Sequence, residues 1–152
     1  MQFIKSPLGM TLLFTLVVLG FQLTAFAETF RSIWLFGLLA IVTFFVHELG
    51  HVIFGVAAGY QFNFLTAGPI TIERNRISAN KSWALFGGIA SCSPKTDDLQ
   101  IIRRQHFWFA AGGPIISLLG GSGSLILGYM FNLQFIIFFG ILNVAIFLVT
   151  AF

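Results

Sequence analysis

Residues 33–58 read IWLFGLLAIVTFFVHELGHVIFGVAA, an apolar run whose second half carries His47-Glu48-Leu49-Gly50-His51, an H-E-x-x-H sequence. The run exceeds the ~20 residues that a helix needs to cross ~30 Å of hydrocarbon. Residues four apart on a helix share a face, so His47 and His51 can offer both imidazoles to one metal ion. Glu48, about 100° round, is set to take a proton from an attacking water. An ionisable residue at membrane depth costs about 2.5–3.5 kcal/mol on insertion scales. These three are therefore expected to carry function rather than to fill polar positions between packed helices.

Composition agrees. Of 152 residues, 57% are hydrophobic and 9% charged, and the mean hydropathy is +0.94. That leaves too little polar surface to coat a soluble globule, which implies an integral membrane protein of one domain. The net charge of +3 is spread over loops without a basic stripe, so it speaks to topology and not to nucleic acid. The single Cys92 cannot form an internal disulfide and reads as a small apolar filler. Gly120-Gly121-Ser122-Gly123 lies within an apolar run rather than after a strand, so it is no nucleotide-binding loop.

The hydropathy pattern predicts four spans, at 8–27, 33–58, 107–131 and 135–152, joined by a long loop at 59–106. The expected fold is an all-α membrane protein with a small β-ribbon or re-entrant segment between the second and third helices. Trp34 and Trp108 fall at span ends, where amphipathic rings prefer the headgroup level. Arg74, Arg76, Lys81, Lys95, Arg103 and Arg104 all lie in the long loop, whereas the other two connections offer only Arg31. The loop and Lys5 are thus expected on the cytoplasmic side, with His47 between the bilayer centre and that side. The first run also reads as a leader, since Ala25-Phe26-Ala27 has the small-x-small form of a cleavage site. Its apolar stretch is longer than a leader's, which favours a retained anchor.

In the loop, Tyr60, Phe62 and Phe64 alternate with Gln61 and Asn63. Gly68-Pro69 signals a turn, and Ile70 and Ile72 alternate with Thr71 and Glu73. A hairpin or ribbon is predicted. Trp83–Cys92 is apolar but too short to span, which suits a re-entrant or interfacial segment. A peptide bond inside a membrane helix is sheathed by its own hydrogen bonds, and an exposed strand edge would hold the unwound form by strand addition.

The H-E-x-x-H span, the ribbon, and then Ala111-Gly112-Gly113-Pro114-Ile115-Ile116-Ser117 opening another span resemble the site-2 protease family of membrane zinc metalloproteases, over residues 33–152. The resemblance implies zinc held by His47 and His51, Glu48 as general base, and a membrane-anchored peptide or protein as substrate in the lipid bilayer. Gly113 and Ser117 fit the family's second motif, a glycine followed four residues later by Asn, Ser or Gly. Ser117 is a candidate donor to an oxyanion or to the scissile carbonyl, although backbone bonding within its own helix is an equal alternative. Gly112 and Gly113 are expected to let the third span approach the small residues of the second.

The chain departs from the family at the third metal ligand, an aspartate in a later L-D-G-like motif, which does not occur before Phe152. Catalytic zinc commonly takes three protein ligands and an open position. Glu73, Asp97, Asp98 and His106 are the internal candidates, each better suited to a solvated loop. Three readings follow: a partial version of a longer protease, which is favoured, an inactive peptide-binding homologue, or a ligand borrowed from within the chain or from a partner. Intramembrane histidines and carboxylates also line ion paths, so a small metal or proton carrier is a further alternative, against which stands the lack of an inverted repeat.

Overall fold

In the computed structural model, which describes residues 4–151, the elements follow in the order α1 (Pro7–Gly20), α2 (Ala27–Ala57), β1 (Gln61–Ala67), β2 (Ile70–Glu73), β3 (Arg76–Ala79), β4 (Ile89–Ser93), α3 (Leu99–Met130) and α4 (Gln134–Ala151). Three helices, α2, α3 and α4, are long and apolar enough to cross a membrane. The expected first span is shorter than its hydropathy suggests. A 14-residue helix runs into one 3-10 turn at Phe21–Leu23, and Thr24 breaks the chain by turning extended. At 1.5 Å per residue, Pro7–Leu23 covers about 25 Å.

Conversely, two helices start earlier than their apolar runs. In the first turn of α2, Glu28 and Arg31 form an exposed i,i+3 ion pair, so helix forms before Ile33. Asp98 caps α3, its carboxylate accepting from the Gln100 N–H at 2.8 Å and the Ile101 N–H at 3.4 Å, so α3 begins at Leu99 rather than Phe107.

The largest fully buried side chains are mostly polar, and many large apolar ones are exposed. Thr43, Thr66, Ser117 and Asn143 are fully buried, whereas Leu16, Leu119, Ile126 and Val149 stand exposed. Water-soluble globules show the opposite distribution.

The loop forms a four-stranded antiparallel sheet in the order β3-β2-β1-β4. Thr66 pairs with Thr71 and Ala67 with Ile70, which leaves Gly68-Pro69 as a two-residue turn. Gly68 supplies the positive φ of 56° that the turn's first position demands. The buried Asn80 locks that turn, its amide donating to the Gly68 carbonyl at 2.8 Å. The expected ribbon is therefore present and larger than predicted. Trp83–Cys92, expected to be re-entrant or interfacial, consists of a 3-10 turn at Trp83–Leu85 followed by most of β4. The alternating stretch at Tyr60–Leu65 lies largely in β1, an interior strand with both edges paired, so the free edges belong to β3 and β4.

The sheet lies along the second half of α2. The Tyr60 N–H donates to Gly55 O at 2.9 Å, and at the other end Gly68 meets Ile41. The contacts therefore follow the helix for about 20 Å. The first half of α2 is flanked instead by α1, running antiparallel: Phe21 stacks on Phe30 with ring centroids 4.3 Å apart, and Trp34 donates to Thr15 Oγ at 3.0 Å. On another side, α3 also runs antiparallel to α2, with Gly50 against Gly112. A Cβ on Gly50 would lie 2.9 Å from that of Ile116, so only glycine permits this approach. Helix α4 packs mainly on α3 and partly on α2.

Candidate metal centre

Because α2 is helical through its H-E-x-x-H sequence, His47 and His51 share the face that α3 covers. Their ring planes stand at 86°, and their Nε2 atoms converge to 3.2 Å. Two nitrogens sharing one tetrahedral zinc, with Zn–N of ~2.0–2.1 Å, would stand about 3.3 Å apart. The observed spacing fits that requirement.

Each ring is held from behind by α3. His51 Nδ1 lies 2.7 Å from the Phe109 carbonyl, which can only accept, so Nδ1 carries the proton and Nε2 presents its lone pair. One position later is Ala110, whose carbonyl Pro114 deprives of its helical N–H partner, so the α3 ladder is already interrupted where His51 docks. His47 Nδ1 lies 2.9 Å from Ser117 Oγ, and both residues are buried. A hydroxyl can donate or accept, so this contact admits two proton arrangements. In one, Ser117 donates to His47 Nδ1 and the His47 Nε2–H points to His51 Nε2. In the other, His47 Nδ1–H donates to Ser117, and both Nε2 lone pairs face the space between the rings, as a shared cation requires.

Glu48 points away from this seam towards the sheet. Ala90, on β4, lies beside its carboxylate. Gly88, with φ 107°, lies so close that an added Cβ would sit 2.8 Å from Glu48 Cγ and 2.9 Å from Oε1. His47 and Glu48 border one groove of about 330 Å³, closed on the far side by α4 through Leu142, Ala145 and Thr150 and floored by Thr43. An apolar cleft with a few convergent polar groups is the usual form of a ligand site.

The sequence-derived residues thus divide. His47, His51 and Ser117 form one hydrogen-bonded row, and Gly113 faces His51 so closely that any side chain there would overlap the imidazole. The hydroxyl of Ser117 faces His47, which makes it a positioning residue for that ring. The four candidate third ligands lie elsewhere or are otherwise engaged: Glu73 pairs with Arg76 at 2.9 Å, Asp97 is exposed ahead of α3, Asp98 caps α3 and His106 packs on Phe109. Among the described residues, no third His, Cys, Asp or Glu joins the two imidazoles. The side chains therefore fit a cation as a pair of donors and complete only part of a catalytic set.

Sequence reasoning missed three contributors. The Phe109 carbonyl has no side-chain signature beyond the nearby Pro114. Gly88 could have been found from the Gly87-Gly88 pair, and the α4 wall only from tertiary packing. No protein-family model, curated protein or solved structure matches the chain.

Proposed function

We propose that the chain is a membrane-embedded, zinc-dependent peptidase domain of the site-2 protease type, acting on membrane-anchored peptides or proteins. The observation that carries this reading is the pair of Nε2 atoms 3.2 Å apart, each ring steered from α3 through its Nδ1. The membrane setting is supported by three long apolar helices with an apolar exterior.

His47 and His51 would hold the ion through Nε2. Zinc, when bound, supplies Lewis acidity towards a peptide carbonyl and a water. Glu48 would accept the water's proton and return it to the leaving amine; it borders the same groove as His47, and its carboxylate would turn from the sheet towards the histidines for that exchange. The free edge of β4, beside Glu48, offers main-chain partners to an unwound substrate, and the apolar α2–α4 groove offers room for its side chains.

A second reading, peptide binding without cleavage, is favoured by the lack of a third donor among the described residues. The two are separated by reconstituting the chain with zinc and a reporter membrane peptide. Peptidase action predicts cleavage that Glu48→Gln abolishes while bound zinc stays near the wild-type amount. Retained cleavage in Glu48→Gln disproves the assignment of the base. Binding of the reporter without cleavage supports the second reading, and metal flux into sealed vesicles would instead indicate a carrier.

A further inference from the structure

A second cavity, of about 450 Å³, opens where α2 ends and α3 begins, away from the histidines. Phe54, Ala57 and Ala58 line it from α2, and Arg104, Gln105 and Trp108 from α3. Its level is set by the sequence, because the apolar runs stop at Ala58 and resume at Phe107. Small alanines leave a gap between the helices, Phe54 and Trp108 stack across it with centroids 6.3 Å apart, and Arg104 is the one cation lining it.

We infer that this groove binds the headgroup of an anionic phospholipid such as phosphatidylglycerol. The guanidinium of Arg104 meets the phosphate, a planar donor fork against a tetrahedral anion. The first acyl carbons lie on Phe54 and Trp108. The site stands on the side richest in Lys and Arg, where the positive-inside rule puts the cytoplasmic leaflet and its anionic lipids. It rests on the membrane reading above and is independent of the metal centre.

The test is native mass spectrometry of the full chain in mild detergent with equimolar phosphatidylglycerol and phosphatidylcholine. The wild type is expected to retain the anionic lipid about fivefold over the neutral one, the preference that one juxtamembrane cation confers. Arg104→Gln, an exposed position whose change leaves the fold intact, is expected to erase the preference. Arg103→Gln, which removes an equal charge outside the groove, keeps it. Equal retention of both lipids by the wild type overturns the inference and leaves the membrane reading untouched. Equal loss in both arginine variants overturns it by reducing the effect to diffuse charge. Displacement of the lipid by millimolar inorganic phosphate also overturns it, reassigning the groove to a soluble anion.

Discussion

At the scale of single residues, the centre depends less on its two imidazoles than on what fixes them. Both rings are tethered at Nδ1, one by a backbone carbonyl that cannot be mutated away and one by the hydroxyl of Ser117. Removing an outer partner of a metal-binding histidine typically weakens metal affinity 10–100-fold. Ser117→Ala is therefore expected to weaken zinc binding about 10- to 100-fold, measured by competition with a chromophoric chelator, while Ser117→Thr, which keeps the hydroxyl, stays nearer the wild type. Unchanged affinity in Ser117→Ala would mean that His47 is oriented by packing alone. The same logic explains why a glycine stands at residue 113: the His51 ring occupies the space that a side chain would need.

Among the elements, the sheet has the greatest consequence for the site. Its order leaves β4 unpaired on one side, beside Glu48, and places β1, the stretch with the most legible alternation, in the interior. Proline is tolerated on edge strands but removes a main-chain donor there. A proline scan across Ile89–Ser93 is expected to cut peptide cleavage at the positions whose N–H faces outward. A scan that leaves cleavage unaltered would argue against strand addition at this edge. The contrast also shows what was legible. The helices and the Gly68-Pro69 turn could be read because hydropathy and turn chemistry are local. The β1–β4 pairing joins Phe62 to Cys92 across a register shift at Asn63, and the α4 wall of the groove comes from a run of sequence with no charged residue and no motif. Such contacts depend on which surfaces meet, and the sequence alone does not specify that. The H-E-x-x-H pair could be read for the opposite reason, since one helical turn determines it.

For the whole molecule, charge asymmetry and the position of the sheet together imply one orientation. Arg74, Arg76, Lys81, Lys95, Arg103 and Arg104 all lie between the C-terminal end of α2 and the first turns of α3, whereas the α3–α4 turn at 131–133 carries no charge and the start of α2 carries Glu28 paired with Arg31. Translocating six cations is far less favourable than translocating an uncharged turn, so in a bilayer the sheet end should face the cytoplasm. Cys92 is the chain's one thiol, and a Cys92→Ala background allows single reporters to be introduced. Thr96→Cys, next to the basic cluster, is expected to react with a membrane-impermeant maleimide in inside-out vesicles and to be silent in right-side-out ones. Leu133→Cys, at the exposed opposite end, should show the reverse. If the two patterns exchange, the orientation is inverted, and the groove beside Glu48 would then receive its substrates from the other face. If both sites react from both sides, the helices do not span, and the histidine pair would have to be understood in a molecule lying on the membrane surface rather than through it.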